Sequence, residues 1–302
     1  HRMYEALILG VLLLAGASAS AYDFDLPLPE EELPDTEPTE HSDRLQLGEE
    51  ADSIDAGSGN DQVRAGGGDD TVSGGLGLDI LQGEGGADQL SGGEFHDILL
   101  GGAGADVLDG EGGKDILFGG TGDDTLMGGD WDDVLAGGEG SDDLSGGRGN
   151  DNLFGVSVDP EPDAGTLKSL RDGTELAENI FALSADDEAD TLDGGEGNDF
   201  LALGAGDSAH GGSGKDVFEL HLDQGTTGVA TIEDFEAGAD TVRVAGGNSG
   251  DFSVQHEEDS GDALVLADGK LVARLKGAGD SFVLEDLGFS GNASANAGQP
   301  GL

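Results

Sequence analysis

An aliphatic residue recurs at every ninth position between Leu47 and Phe154, and this period organises the chain. Each aliphatic follows an aspartate by two residues, and glycines fill most of the segment before that aspartate. Because side chains alternate along a strand, the neighbours of the aliphatic are predicted to point away from it. Each nine-residue unit is therefore predicted to form one glycine-rich turn and one three-residue strand. A strict period of this kind predicts a solenoid.

The period holds over twelve repeats without an insertion or a deletion. The aspartates are Asp52, Asp61, Asp70, Asp79, Asp88, Asp97, Asp106, Asp115, Asp124, Asp133, Asp142 and Asp151. The aliphatic residues are Ile54, Val63, Val72, Leu81, Leu90, Leu99, Leu108, Leu117, Leu126, Leu135, Leu144 and Leu153. Two repeats complete one coil, which predicts two parallel sheets, two rows of turns and a roll roughly 29 Å long at about 4.8 Å per coil.

The residues that flank the aliphatic positions predict different outer faces for the two sheets. On odd-numbered repeats these residues are mostly polar, with Val107 and Met127 as exceptions. On even-numbered repeats they include Ile80, Ile98, Leu100, Ile116, Phe118, Val134, Ala136 and Phe154. An exposed apolar ladder of this length marks an interaction surface or requires a cover. We expect either the Thr166–Leu183 segment or the C-terminal strands to cover it, or a protein partner or self-association to use Ile80, Ile98, Ile116, Phe118 and Val134.

The period stops after Phe154 and returns 36 residues later. Residues 156–184 form an insertion whose apolar spacing predicts one or two short helices. A second short repeat block over residues 185–219 restores the pattern at Asp190, Asp199 and Asp216.

Residues 220–290 alternate apolar and polar positions as β-strands do, and they predict an antiparallel cap over the open end of the solenoid. The predicted strands are Val217–Leu222, Ala230–Phe235, Thr241–Val244, Phe252–His256, Ala263–Leu266, Leu271–Leu275 and Ser281–Leu284.

The two ends differ from the repeat array. Residues 1–22 contain a short apolar run that ends in small residues, which predicts a secretory signal or, if it is retained, a membrane anchor. Residues 23–46 are acidic and proline-rich and predict an extended linker, and residues 291–302 predict a flexible tail.

The charge of the chain limits the classes of partner that it can bind. Twelve basic against sixty-five acidic residues leave a formal net charge of 12 − 65 = −53. Nucleic acid is excluded as a partner, since phosphate binding requires clustered Lys and Arg. With fifty-eight glycines and this self-repulsion, we expect most of the repeat region to be disordered without bound cations.

Individual copies, such as Gly101 to Asp109 (GGAGADVLD) and Gly119 to Met127 (GGTGDDTLM), resemble the nonapeptide of the RTX, or haemolysin-type, calcium-binding proteins. The segment from Ala230 to Val244 is similar to one that often follows such repeats. The resemblance implies an all-β fold, a right-handed parallel β-roll with a C-terminal β cap. It also implies Ca²⁺ between successive turns, about ten ions in all, held by backbone carbonyls and by the aspartates named above, including Asp190, Asp199 and Asp216.

Several turns depart from the repeat. The fourth position holds Glu50, Phe95 and Trp131 in place of glycine, and the second holds Glu84 and Glu111. We expect weak sites beside Phe95 and Trp131, which lie two coils apart in even-numbered repeats.

Catalytic motifs are absent from the sequence: it has no HExxH, no GxSxG and no phosphate-binding loop. We therefore predict a non-enzymatic, secreted, calcium-binding structural protein that folds on extracellular calcium. The alternatives are a cell-surface adhesin or interaction protein that uses the apolar face, with membrane contact only through a retained N-terminal segment, and the non-catalytic part of a secreted RTX enzyme.

Overall fold

The nine-residue period folds into a parallel β-solenoid of about eight turns, with 3% helix. The computed structural model describes residues 38–158, 183–184, 188–222, 228–245 and 251–289. Strands of the repeat array are β1 (Arg44–Gln46), β2 (Ser53–Asp55), β3 (Gln62–Gly67), β4 (Thr71–Leu76), β5 (Ile80–Gly85), β6 (Gln89–Glu94), β7 (Ile98–Ala103), β8 (Val107–Gly112), β9 (Ile116–Thr121), β10 (Thr125–Asp130), β11 (Val134–Glu139), β12 (Asp143–Arg148) and β13 (Asn152–Phe154).

The remaining strands complete the fold. They are β14 (Ser157–Val158), β15 (Leu183–Ser184), β16 (Thr191–Gly197), β17 (Phe200–Leu203), β18 (Ser208–His210), β19 (Ser213–Gly214), β20 (Val217–Leu220), β21 (Ala230–Ile232), β22 (Thr241–Val244), β23 (Phe252–Glu257), β24 (Asp262–Ala267), β25 (Lys270–Leu275) and β26 (Leu287–Phe289).

Alternate strands belong to two sheets, as the two-repeat coil predicts. The first sheet has the order β1-β3-β5-β7-β9-β11-β13-β17-β20-β22-β26, and the second has β2-β4-β6-β8-β10-β12-β16-β18-β21-β25-β24-β23, with β19 beside β16. Pairing within the array is parallel and shifted by one coil, so that Leu81 lies opposite Leu99 and Leu99 opposite Leu117. The even-numbered repeats thus form the first sheet.

Most strands of the array contain six residues, twice the predicted length. In β5 the pairing continues past Gln82 through the glycine-rich segment, where Glu84 lies opposite Gly102. The prediction of three-residue strands was wrong because strand pairing continues through the first three positions of each turn, although the second of them has a positive φ.

The core lies between the two sheets and consists of the periodic aliphatic residues. Val63, Leu81, Leu99, Leu117, Leu135 and Leu153 are 0% exposed in the first sheet, and Leu108, Leu126 and Leu144 are 0% exposed in the second. Each of these side chains lies opposite its equivalent one coil away, and together they form one buried cluster.

The insertion leaves the solenoid continuous. The Asp142 N–H donates to Asp190 Oδ1 at 2.8 Å across 48 residues, whereas coils of the uninterrupted array span 18, so this coil is 48 − 18 = 30 residues longer. At its base β14 pairs antiparallel with β15. The helices predicted within Thr166–Leu183 lie outside the described residues apart from Leu183, which belongs to β15.

The solenoid also extends beyond the predicted array at both ends. At the start β1 pairs with β3, so the roll includes residues that the prediction assigned to the linker. At the other end β20, β22 and β26 continue the first sheet, and β21 and β25 continue the second.

Antiparallel strands follow at the C-terminal end, as predicted. β23 pairs with β24, and β24 with β25. The predicted strand Ser281–Leu284 is wrong: Gly279–Ser281 and Leu284–Asp286 are short 3₁₀ helices. The Asp286 carboxylate accepts the Val283 N–H at 2.9 Å and closes a turn that competes with strand pairing.

The outer face of the first sheet is buried within the single chain. Ile80 is 7% exposed, Ile98 and Ile116 are 2% exposed, and Phe118 is 6% exposed. On the second sheet Val107 remains 39% exposed. The C-terminal strands extend the sheets at their ends, and β14 lies beside β11 of the first sheet.

The N-terminal apolar segment lies outside the described residues. Within the part of the chain that the structure describes, no helix is long and apolar enough to cross a membrane.

Candidate metal centre

Each turn of the solenoid ends in an aspartate whose carboxylate bridges two coils. The Asp79 N–H donates to Asp97 Oδ1 at 2.7 Å, and the Asp97 N–H donates to Asp115 Oδ1 at 2.7 Å. The bond repeats along the array because each carboxylate accepts the backbone N–H of the aspartate one coil earlier. One carboxylate oxygen per turn is therefore used to align successive coils.

All fifteen sequence-predicted aspartates lie in two such ladders, one beside each sheet. The first ladder contains Asp61, Asp79, Asp97, Asp115, Asp133, Asp151, Asp199 and Asp216. The second contains Asp52, Asp70, Asp88, Asp106, Asp124, Asp142 and Asp190. Asp52 is half-buried, and the others are buried.

Sequence reasoning missed three members of the ladders. The Asp43 N–H donates to Asp61 Oδ1 at 2.7 Å, Asp207 Oδ1 accepts the Asp190 N–H at 3.1 Å, and Asp240 Oδ1 accepts the Asp216 N–H at 3.1 Å. Each is followed two residues later by an apolar residue, as in the repeat. This pairing of aspartate and apolar residue, searched without a fixed period of nine, would have found all three.

The second carboxylate oxygen of most ladder aspartates is buried without a hydrogen-bond partner. This holds for Oδ2 of Asp61, Asp70, Asp79, Asp88, Asp97, Asp106, Asp115, Asp124, Asp133, Asp151 and Asp199. Buried polar atoms almost always have a partner, and a buried charge without one is costly. The repetition of one orphaned oxygen from coil to coil points to a ligand with positive charge.

Glycine is required where these oxygens lie. A Cβ at Gly101 would lie 2.5 Å from Asp106 Oδ2 and 2.5 Å from the carbonyl oxygen of Gly119, one coil further on. Real Cβ contacts this short are essentially never observed. The missing Cβ thus lets a carboxylate oxygen and a carbonyl oxygen approach each other at the turn.

Burial raises the pKa values of the ladder carboxyls. The pKa of Asp97 rises to about 8, that of Asp115 to about 7 and that of Asp133 to about 9, with desolvation as the largest cause and neighbouring carboxylates as a further one. The backbone N–H that each accepts lowers the pKa and only partly compensates. Their ionised forms are therefore unfavourable in this fold unless a cation is nearby.

The donor set suits a hard cation. Ca²⁺ takes six to eight oxygen ligands from carboxylates and backbone carbonyls. In the described residues no group of three or more His, Cys, Asp or Glu side chains could by itself hold a metal ion. This agrees with the architecture, because each turn supplies one aspartate and its remaining oxygens are backbone carbonyls.

The residues that replace glycine adopt the conformations of glycine. At the second position Glu84 and Glu111 have φ of 71° and 65°, and at the fourth position Phe95 and Trp131 have φ of 85° and 88°. The ladder bond from Asp97 to Asp115 nevertheless persists at 2.7 Å. Weaker sites beside Phe95 and Trp131 remain a prediction.

Parallel sheets, glycine-rich turns and carboxylate ladders together define a β-roll, a solenoid with oxygen-rich turn rows. The family model for the RTX calcium-binding nonapeptide repeat, which spans four copies of the repeat, matches residues 39–72, 64–99, 91–126, 118–153 and 182–209. The repeat region of this chain belongs to the RTX calcium-binding family. This family is not a catalytic one. No curated protein matches the chain.

Proposed function

We propose that this chain is a secreted structural protein whose roll folds when extracellular calcium binds. The observation that carries the proposal is the row of buried, orphaned Oδ2 atoms along both aspartate ladders. A cation at these oxygens supplies the charge that burial otherwise leaves unbalanced. Where calcium is scarce, the net charge of −53 keeps the chain expanded.

The proposed ligands are the predicted ladder aspartates. Their Oδ2 atoms and the carbonyl oxygens of the turn glycines hold the ions, about ten in the repeat array at one ion between successive turns of a row. Asp43, Asp207 and Asp240 extend the ladders, but their Oδ2 atoms already accept the N–H groups of Thr39, Gly204 and Glu236. Magnesium fits poorly, since it demands octahedral geometry at short distances.

Calcium would act mainly as a folding ligand. One site at a free calcium concentration of 100 times its Kd stabilises the folded state by about 2.7 kcal/mol. Several sites together offset the conformational entropy that a glycine-rich chain loses on folding.

We propose no catalytic role, since the sequence lacks catalytic motifs and the repeat fold is structural. The second candidate is a cell-surface adhesin that uses the apolar outer face of the first sheet, held by a retained N-terminal anchor. Ile98 and Ile116 are buried on that face, which favours a cover from the same chain over an open docking surface. Determining the N-terminus of the mature protein separates the two, because an anchored adhesin keeps residues 6–21.

The proposal is tested by titrating the metal-free protein with calcium while recording far-UV circular dichroism and calorimetry. A matched pair of variants lies in one turn: Asp124 is 2% exposed with an orphaned Oδ2, whereas its neighbour Asp123 is exposed and accepts the Ser141 N–H at 3.0 Å. Both Asp124→Asn and Asp123→Asn remove one charge. We expect only Asp124→Asn to weaken calcium binding, by about tenfold or more at the adjoining sites.

The wild-type chain should pass cooperatively from coil to β structure with calcium, and magnesium should be much less effective. Equal β content in chelator and in calcium would refute the folding switch. Equal losses in the two variants would refute the assignment of the ladder carboxylates as ligands.

A further inference from the structure

Two large aromatic side chains stand out from the surface of one turn row. Phe95 is 58% exposed and Trp131 is 65% exposed, and they are the most exposed large apolar side chains in the described residues. Single exposed apolar residues are ordinary on a protein surface. A pair on the same row of a regular solenoid is a different feature, because the coil repeat sets its spacing.

Backbone bonds place the two aromatics two coils apart with a glycine between them. The Phe95 N–H donates to the Gly112 carbonyl at 2.7 Å, and the Gly113 N–H donates to the Asp130 carbonyl at 3.1 Å. Phe95, Gly113 and Trp131 therefore occupy equivalent positions on consecutive coils. At about 4.8 Å per coil, the two aromatic residues are separated by about 9.6 Å, and no side chain lies between them at the fourth position.

Both aromatics occupy a backbone conformation that suits glycine. Their φ values are 85° and 88°, and the same position earlier in this turn row is held by glycine with positive φ at Gly59 and Gly77. Non-glycine residues in this region carry strain, which is found most often at functional sites. Folding alone favours glycine at these two positions, so we attribute the presence of aromatic side chains there to a role in binding.

The surroundings of the pair are polar and acidic. Lys114 forms an ion pair with Asp132 at 2.5 Å, and Arg148 forms one with Asp130 at 2.5 Å. All four are substantially exposed, with side-chain exposures between 41% and 67%. Glu94 and Glu111 are exposed in the same turn row, so this surface offers cationic donors and a larger number of carboxylate acceptors beside two apolar rings.

We infer that Phe95 and Trp131 form a binding site for a neutral, extended polysaccharide. A pyranose ring has an apolar C–H face that stacks on an aromatic ring and a rim of hydroxyls that both donate and accept hydrogen bonds. The two-coil spacing is close to the length of two sugar units in an extended β-linked chain. One sugar can therefore stack on Phe95 while the second sugar along the chain stacks on Trp131. Polyanions are repelled by the charge of the chain.

A proline-rich peptide fits this surface less well. An extended peptide backbone without N–H groups offers carbonyl acceptors, which suit Lys114 and Arg148 but not the carboxylates of Asp130 and Asp132. A sugar satisfies both kinds of group.

The test uses the full chain in saturating calcium and affinity electrophoresis through gels that contain hydroxyethyl cellulose, laminarin, dextran or heparin. We expect retardation by a β-linked neutral glucan, and none by heparin. Phe95→Gly and Trp131→Gly restore the glycine of the repeat. Each should weaken binding by about tenfold, as loss of a central aromatic contact does, while the calcium midpoint of folding stays equal or improves.

Leu284→Ala is the matched control, since Leu284 is 44% exposed in the short C-terminal 3₁₀ helix Leu284–Asp286, outside the turn row that carries the pair. It should leave polysaccharide binding unchanged. The inference is overturned if neither β-glucan retards the protein, if both glycine variants bind as the wild type does, or if Leu284→Ala loses binding equally. Preferential binding of heparin or of a proline-rich peptide also overturns it. Circular dichroism on every sample shows whether the variant has folded in calcium, so that loss of folding is distinguished from loss of polysaccharide binding.

Discussion

Replacing Gly110 with alanine should selectively damage the turn that precedes Asp115. The new Cβ would lie 2.6 Å from the Gly128 carbonyl oxygen and 2.7 Å from Asp115 Oδ2. Ordinary contacts begin at 3.4 Å, so these oxygens must move by 3.4 − 2.6 = 0.8 Å and 3.4 − 2.7 = 0.7 Å. Overpacking of this kind costs about 1–3 kcal/mol. The displaced atoms are also the proposed calcium ligands.

Gly112 lies in the same turn and provides the control. A Cβ there meets only the Gly93 carbonyl oxygen, at 3.9 Å, and neither glycine has a φ in the left-handed region. Both substitutions restrict the unfolded chain to the same degree, by about 0.4–1 kcal/mol. The difference between Gly110→Ala and Gly112→Ala therefore isolates the clash in the turn.

Thermal unfolding in saturating calcium, followed by far-UV circular dichroism, measures this difference. At about 2–4 °C per kcal/mol for a domain of this size, Gly110→Ala should melt roughly 2–12 °C below Gly112→Ala. Calorimetry should show a lower calcium affinity for Gly110→Ala, with 1.4 kcal/mol corresponding to about tenfold. Equal melting temperatures and equal affinities in the two variants would refute the packing argument for the turn.

Two other predictions follow from the aspartate ladders. Burial raises the folded-state pKa of Asp97 to about 8 and of Asp133 to about 9, above the unfolded values near 4. The metal-free roll should therefore be most stable at acid pH and lose this stability as pH rises through 8 to 9. Circular dichroism without metal should show this loss of β structure, whereas a metal-free chain that gains β structure as pH rises would contradict it. Asp207→Ala leaves two buried N–H groups, those of Asp190 and Gly204, without an acceptor and should cost about 2–5 kcal/mol in denaturant unfolding, against less than about 0.5 kcal/mol for the exposed Asp193→Ala.

The recurrence of an aspartate and an aliphatic residue predicts much of the fold without coordinates. It predicts the parallel pairing by whole coils, the inward column that includes Leu99 and Leu117, and the membership of every predicted aspartate in a turn row. These features depend on local chemistry that is identical in each repeat. The nine-residue period is therefore sufficient to predict these features.

Where the period breaks, sequence reasoning was less complete. Asp207 joins its ladder after a coil that is one residue shorter, and Asp240 joins after a coil that is six residues longer, since their hydrogen bonds span 17 and 24 residues. The hydrogen-bond ladder tolerates insertions and deletions in the turns, whereas a sequence search with a fixed period of nine residues misses the aspartates that follow them. The Ser281–Leu284 strand was wrong for a related reason: a local side-chain bond from Asp286 formed a turn where alternation predicts a strand.

The sequence by itself determined the repeat, its two unlike faces and the oxygen chemistry of its turns, because each is encoded within nine residues. Only the tertiary structure decided what each carboxylate oxygen contacts. Stacking the coils gives Oδ1 of Asp97 a backbone N–H and leaves its Oδ2 buried without a partner. The folded chain also buries Ile98 on the outer face, and stacking brings Phe95 and Trp131 to the same row, two coils apart. Contacts between residues 18 positions apart exist only once the coils are stacked.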